Sequence, residues 1–480
     1  MLNCPLRQAA ISSPNAPAIC DANRSLTFDE FDRLVTSIAH EFEQQGVRTG
    51  SHVAILSGNS IEYVVVLMAL IRIGAICVPL NTRLHCVELK RQLNQIDFAM
   101  VLTDEANQQT ASELHPRTIS ISDLINSAPK GIVTRDPIDI QPSRDCVVVF
   151  TSGSSGTAKG VRLSFGNLHY NALGSNENLP LAPGDTWLLS LPLFHVGGLG
   201  IVFRCLLAGA QIFVSRRFDT QELNNLIDAG AVTHLSLVPS MLTQLLRERN
   251  GRGFAKLPKA ILLGGAPVSE SLLRTIRELR LPVIVSYGMT ETASQVTATK
   301  LGDPLEILAT SGRALPYREI RIESGPGSAV GEICVRGKVV CLGYTGDANL
   351  PLTDDNWFRT GDIGSIDADG FLTVLGRKDG MFISGGENIF PEEIERLVVG
   401  FPGVTAAAVI AIDNADWGKR PVLFIESANI NSIDERDIAK FLSCQLAKFK
   451  LPDRIIVLDQ LPRTTLDKID RAALEQLAKS

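Results

Sequence analysis

The decapeptide Thr151-Ser-Gly-Ser-Ser-Gly-Thr-Ala-Lys-Gly160 packs three glycines, five hydroxyls and one lysine directly behind the apolar run Cys146 to Phe150, which reads as a buried strand. Glycine lets the backbone take positive φ and approach a ligand closely, while successive N–H groups, hydroxyls and one ammonium match the oxygens of a polyphosphate. A nucleotide is the natural guest. The loop is not a Walker A motif: counted from Gly153, the second required glycine falls at Ala158, and Lys159 is followed by Gly160 rather than Ser or Thr.

A chain of 480 residues exceeds what one hydrophobic core supports, so two or more domains are expected. With 46 basic against 52 acidic residues there is no electrostatic footprint for nucleic acid or an anionic membrane. The apolar stretch Tyr63 to Leu80 is broken by Arg72, Gly74 and Pro79, which fits a helix, a turn and a strand better than a membrane span. The amino terminus lacks a basic region followed by an apolar core, so no secretory signal is expected. Nine cysteines stand singly within apolar runs, as reduced core thiols of a cytoplasmic protein do. The seven histidines all precede residue 235 and none has zinc-ligand spacing, which argues against a zinc site.

Thr27-Phe-Asp-Glu30 is a capping box that opens a helix running to Gly46. His52 to Leu56, Ile61 to Ile73 and Ala75 to Pro79 then read as strand, helix and strand, a βαβ unit with parallel strands. Further strands are expected at Trp187 to Leu191, Gln211 to Val214, His234 to Val238, Ala260 to Leu263 and Val283 to Ser286, with helices between them, an α/β body covered on both faces. From Pro316 to Leu375 short strands punctuated by Gly and Asp, such as Gly331 to Arg336 and Gly370 to Leu375, indicate a β-rich subdomain. A helix over Glu392 to Val399 opens the last ~100 residues, which have the length of a compact α/β domain. The boundary is expected at Lys378-Asp379, giving residues 1–378 and 379–480.

The glycine loop resembles the phosphate loop of the adenylate-forming superfamily, usually TSGTTGxPKG, and departs from it mainly at Ala158. Five further blocks match that superfamily in order and spacing. They are Gly264-Gly-Ala-Pro267, Ser286-Tyr-Gly-Met-Thr-Glu291, Phe358-Arg-Thr-Gly-Asp362, the stretch Arg377-Lys-Asp379 with Ser384-Gly-Gly-Glu387, and Leu461-Pro-Arg-Thr-Thr-Leu-Asp-Lys-Ile-Asp-Arg471. The resemblance implies a large multi-subdomain N-terminal adenylation domain with parallel sheets flanked by helices, and a small mobile α/β C-terminal domain. It implies ATP contacts from Thr151, Ser152, Gly153, Ser154, Ser155, Gly156, Thr157 and Lys159, and from Gly264, Gly265, Ala266, Pro267, Tyr287, Gly288, Thr290, Asp362 and Arg377. Tyr287 would stack on adenine, Asp362 would accept from the ribose hydroxyls, and Glu291 would hold Mg²⁺; an aromatic face and hard oxygen ligands suit those tasks. Lys468 would be the catalytic lysine, although Asp467 replaces the glycine usual before it. Asp379 would be the hinge, and Ser384, Gly385 and Gly386 would line a coenzyme A channel.

The reaction so implied joins a carboxylic acid to ATP as an acyl-adenylate and then passes the acyl group to a thiol. Pro192-Leu-Phe-His-Val-Gly-Gly-Leu-Gly-Ile-Val-Phe-Arg204, Tyr287 to Gln295 and Trp417-Gly-Lys-Arg-Pro-Val422 are similar to the o-succinylbenzoate-CoA ligase family of menaquinone and phylloquinone synthesis. His195 would then lie near the reacting carboxylate as a catalytic residue. A helix starting near Gly197 would set Gly197, Gly200 or Ile201, and Arg204 on one face, with Arg204 pairing a second substrate carboxylate. Other aryl- or fatty-acyl-CoA ligases, a stand-alone enzyme loading a carrier protein, and a silent nucleotide-binding module remain open on these residues. The partners implied are a small carboxylic acid, ATP with Mg²⁺, and coenzyme A, with no nucleic acid and no integral membrane; a homodimer is allowed.

Overall fold

A computed structural model of the chain describes residues 1–129, 131, 136–151, 158–346, 349–384, 387–414, 418–429, 433–446, 448–464 and 468–479. The capping box forms as the sequence predicts: Thr27 Oγ1 accepts from the Glu30 amide at 3.2 Å and Glu30 Oε2 accepts from the Thr27 amide at 2.8 Å, starting the helix Phe28–Gln44. The helix Ile61–Ile73, almost wholly apolar, ends on Gly74 and joins the parallel strands His52–Leu56 and Ile76–Pro79.

The strands of the α/β body divide into two large sheets. In the first, Thr118–Ser120, Met100–Thr103, His52–Leu56, Ile76–Pro79 and Asp145–Thr151 run parallel in that spatial order, and Lys159–Ser164 and then Gly343–Tyr344 add antiparallel strands at one edge. In the second, Pro17–Cys20, Gln211–Val214, Thr186–Leu189, His234–Leu237, Ala260–Leu263 and Val283–Met289 run parallel, with antiparallel strands at both edges. The fully parallel reading therefore holds for the centres and not for the edges, where a hairpin return needs only a short turn. Central strands such as Ala260–Leu263 are buried on both faces and read as unbroken apolar runs.

Both sheets share one core. Val53 and Leu102 of the first and Trp187 and Ile212 of the second belong to the same apolar cluster as the buried faces of Ile61–Ile73, Phe165–Asn178 and Val196–Ala208. Residues 318–377 form the expected β-rich unit, an antiparallel sheet of Arg318–Glu323, Val330–Gly337, Phe358–Ile366 and Leu372–Arg377. Beyond it, a sheet built on Ala406–Asn414 and Gly418–Glu426 is packed by the helices Pro391–Val399, Glu435–Ser443 and Arg471–Lys479, with apolar clusters drawn only from residues 382–478. Seven of the nine cysteines are buried and none is bridged; Cys86 is half-buried and Cys444 exposed. Among the described residues no helix is long and apolar enough to cross a membrane.

Candidate active site

A cavity of about 1580 Å³ opens at the carboxyl ends of parallel strands from both sheets, bounded by Pro79, Thr151, Leu237, Leu262 and Met289. Ligands of open α/β sheets gather there because strand ends present loops and unpaired backbone groups.

The glycine loop closes an antiparallel hairpin, with Thr151 opposite Lys159 in register. A strand rather than a helix follows it, which is the structural counterpart of its failure as a Walker A motif. Ser152, Gly153, Ser154, Ser155, Gly156 and Thr157 lie outside the described residues. Both flanks line the cavity. Lys159 Nζ stands 5.3 Å from the Tyr344 ring centroid, and the Tyr344 hydroxyl donates to Glu291 Oε1 at 3.2 Å. Gln95, unmarked by any motif, holds the loop's exit by donating to the Ala158 carbonyl at 2.9 Å while accepting from Thr345 at 3.0 Å.

Gly264, Gly265, Gly288, Thr290, Glu291 and Arg377 line the cavity as expected. Ala266 and Pro267 do not; they are exposed beyond it. Tyr287 and Asp362 are also absent from the lining. The Tyr287 hydroxyl donates to Asp362 Oδ2 at 2.6 Å, and Arg377 donates to Asp362 Oδ1 at 3.2 Å, to the Thr360 carbonyl at 3.1 Å and to Asp379 Oδ1 at 3.0 Å. Strand register explains the Asp362–Arg377 pairing, since the two residues are directly opposed. Burial outweighs the Tyr287 bond and the Arg377 charge and leaves the Asp362 carboxyl above its usual range. Next to Asp379, the Lys378 amide donates to the Gly361 carbonyl at 2.7 Å and its ammonium pairs with Glu332 at 2.9 Å. Glu332 also pairs with Arg359 at 2.9 Å, a cluster that no motif announces.

The opposite end is made by the helix Val196–Ala208. His195 is its N-cap residue, but its side chain makes no capping bond and lines the cavity. Although the ring opens to the cavity, the walls desolvate it, and with the charges of Lys468 and Arg83 they push its pKa down to about 4. His195 is therefore neutral at neutral pH. Gly197 and Arg204 line the same space. Arg204 is only 1% exposed, stacks at 4.9 Å on Trp187, and among the described residues has no hydrogen-bond partner for Nε or Nη1. Burial pushes its pKa down to about 10, so it stays charged near neutrality. Gly200 makes this possible in a way the spacing did not reveal: a Cβ there would lie 2.6 Å from Arg204 Nη2, so the missing side chain leaves room for the guanidinium itself.

Two further residues join this end: Gln295, the last residue of the Tyr287 to Gln295 block but given no role by it, and Ser236, which no motif marks. Gln295 is 3% exposed, lines the cavity, and among the described residues has no partner for either side-chain amide atom. Ser236 lines it too, and its Oγ accepts from Trp187 Nε1 at 3.2 Å, leaving its own proton for another acceptor.

Lys468 and Arg471 reach the cavity from the far side. The Lys468 carbonyl accepts from the Thr464 amide at 2.7 Å, and Arg471 pairs with Glu395 at 2.7 Å. Lys468 and His195 thus share one space, although 273 residues of chain separate them. Ser384 is buried, accepts from Arg420 at 3.2 Å and does not line the cavity. Gly385 and Gly386 lie outside the described residues.

Known proteins share this arrangement. A family model described as AMP-binding enzyme matches residues 6–345, and one described as AMP-binding enzyme C-terminal domain matches residues 393–468. The 2-succinylbenzoate–CoA ligase of Bacillus cereus (strain ATCC 10987 / NRS 248) is 33% identical over 480 residues, covering 99% of this chain and 98% of its own. The o-succinylbenzoate CoA synthetase (MenE) of Bacillus subtilis, solved in complex with the acyl-adenylate intermediate OSB-AMP, superposes with a TM-score of 0.90 at 33% identity, covering 99% of this chain and 98% of that one. The same enzyme in complex with ATP and magnesium ion gives a TM-score of 0.90 at 33% identity, covering 99% of both chains. Since family matches fall on both the strand-end cavity and the segment that brings Lys468 to it, the chain belongs to the AMP-binding enzyme family.

Proposed function

We propose that this protein is an ATP-dependent acid–thiol ligase that converts o-succinylbenzoate to o-succinylbenzoyl-CoA in menaquinone or phylloquinone synthesis. The relatives named for that acid support the reaction, and one observation in this chain carries the choice of acid. Arg204 is a buried cation on the cavity wall whose Nε and Nη1 have no hydrogen-bond partner among the described residues. An unpaired buried guanidinium is costly, and a carboxylate matches its fork. An acid with a carboxylate to spare after activation meets that need.

In the first step the other carboxylate attacks the α-phosphorus of ATP, and the bond to the β-phosphate oxygen breaks to release pyrophosphate. Lys468 offsets the charge gathering between carboxylate and phosphate, and neutral His195 orients the carboxylate without competing as a cation. Thr151, Lys159 and Thr290 hold the phosphates, with Ser152 to Thr157 completing the loop. Asp362 and Arg377 hold the ribose, beside Tyr287 and the Gly264-Gly265 turn. Glu291 suits a divalent cation as one ligand only: no cluster of three or more His, Cys, Asp or Glu side chains occurs among the described residues, so nucleotide oxygens would supply the rest. Bound Mg²⁺ would neutralise polyphosphate charge.

In the second step the coenzyme A thiolate attacks the acyl carbon, and AMP leaves with the electrons of the C–O bond. We assign residues 1–378 to the adenylation domain and 379–480 to a mobile domain that turns about Asp379, withdrawing Lys468 and presenting Ser384, Gly385 and Gly386 to the pantetheine arm. The unbridged buried thiols support a cytoplasmic location.

The test is thioester formation from ATP, Mg²⁺ and coenzyme A with a panel of acids. O-succinylbenzoate should be the preferred acid by kcat/KM. A preference for a monocarboxylic aryl acid or a fatty acid would make this a general acyl-CoA ligase, and no pyrophosphate release with any acid would remove the ligase reading altogether.

A further inference from the structure

A second buried guanidinium lies behind the acid-binding wall. Arg318 is only 6% exposed and donates from Nε to the Pro316 carbonyl at 2.9 Å, from Nη1 to the Gln295 carbonyl, and from Nη2 to the Tyr170 and Asn171 carbonyls, both at 3.4 Å. Every acceptor is a main-chain carbonyl, and among the described residues no carboxylate forms an ion pair with it. Its space exists because residue 174 is glycine: a Cβ there would also lie 2.7 Å from the Pro316 carbonyl oxygen. Burial pushes the Arg318 pKa down to about 9, the charge of Arg204 pushes the same way, and Glu177 is the one acid opposing it.

Arg318 reaches the cavity through one residue. The Gln295 carbonyl that accepts from Arg318 also accepts from Asn171 Nδ2 at 2.8 Å, so the strand Ser294–Ala298 is clamped where the Gln295 side chain enters the cavity with both amide atoms unpartnered. Two cations out of water repel across a low dielectric, and an anion bound at Arg204 on the cavity wall offsets the charge of both. An acid whose single carboxylate is engaged at Lys468 brings no such anion.

We propose that Arg318 is a positioning residue that makes the acid end selective for a doubly charged acid, holding Gln295 by its main chain and keeping a buried positive charge, without an ion-pair partner among the described residues, near Arg204. The proposal rests on the ligase reading above.

The neutral variants Arg318→Met and Arg318→Gln, the second of which keeps two donors, are compared with Arg318→Lys, which keeps the charge. With the neutral variants, KM for o-succinylbenzoate should rise about tenfold, equivalent to 1.4 kcal/mol, while kcat and the KM for a monocarboxylic aryl acid stay within about twofold, as expected when only uniform binding is lost. Arg318→Lys should restore KM for the dicarboxylic acid to within about threefold of wild type. Equal losses on both acids, or an unchanged ratio between them, would overturn the proposal, as would failure of both neutral variants to fold while Arg318→Lys folds. A wild-type protein that shows no preference for the dicarboxylic acid refutes the substrate reading itself; that outcome is read before any variant is made, so the two failures are distinguishable.

Discussion

At the nucleotide end of the cavity the polar groups are already matched: Tyr287 to Asp362, Asp362 to Arg377, Arg377 to Asp379, Tyr344 to Glu291, and Lys378 and Arg359 to Glu332. At the acid end Arg204 Nε and Nη1 and both side-chain amide atoms of Gln295 are buried without a hydrogen-bond partner among the described residues. A satisfied network keeps its geometry before any ligand arrives and suits a substrate, ATP, shared by many enzymes. An unsatisfied buried group costs ~1 to 3 kcal/mol until a ligand meets it. Sites built that way reject analogues lacking the matching group far more strongly than apolar pockets reject a wrong shape. On the proposed reading, general chemistry belongs to the matched end and discrimination to the unmatched one.

The largest effect should come from removing the unsatisfied cation. Arg204→Ala would leave the distal carboxylate of o-succinylbenzoate buried without a partner, at roughly 3 to 5 kcal/mol, so kcat/KM for that acid should fall by about two to four powers of ten. A monocarboxylic aryl acid should lose much less, because it had nothing to pair there. Equal loss on both acids breaks the comparison and makes Arg204 a residue of the fold.

Next in size is Lys468→Ala, which removes a charge the two ends share. Adenylation should fall by ~10²- to 10³-fold, the scale of one preorganised electrostatic contact, while thioester formation from supplied acyl-adenylate persists. Loss of both half-reactions alike would argue against alternation of the mobile domain. The same variant offers a reading independent of turnover. Because the Lys468 charge helps depress His195, its removal should raise the imidazole pKa from about 4, with desolvation by the cavity walls still holding it below the ordinary value. An unfolded chain protonates this histidine first as pH falls, so the stability tied to its neutral form is complete above pH 6.5 and is lost toward pH 4. In the variant that window should narrow from its acid side. An NMR titration of the ring that does not move would place Lys468 away from His195 in solution.

The smallest effect belongs to the satisfied end. Tyr287→Phe deletes one hydrogen bond to Asp362, so KM for ATP should rise about three- to tenfold, as for a contribution near 1 kcal/mol, with the ratio between acids unchanged. A changed acid preference would show that the two ends are not independent.

Much of this was legible without coordinates, for local reasons. The Thr27–Glu30 cap, the helix Ile61–Ile73 and the strand ends beneath Thr151 and Gly264 follow from periodicity and punctuation. The ligands of a polyphosphate lie close together in one loop, so Thr151 to Lys159 stand out as a string. Gly197 and Arg204 are seven residues apart on one helix, so their shared face follows from 3.6 residues per turn, and His195 stands at its N-cap. The exact antiparallel edges did not show, because a strand's neighbours depend on where distant chain returns.

What only the tertiary structure decided is which groups meet across the chain. Tyr287 finds Asp362 75 residues on, and turns an expected stacking face into a bonded pair set back from the cavity. Gln95 anchors the phosphate loop from 63 residues upstream of Ala158. Ser236 and Arg318 carry no local signature at all, and the block that ends in Gln295 does not tell what its side chain does. An Arg beside a left-handed Tyr317 reads as a surface turn, and burial alone makes its charge matter. Motifs record groups that must be adjacent in sequence to act together. Selectivity here depends on polar groups left without partners, and no stretch of sequence can show whether a partner has arrived from elsewhere in the fold.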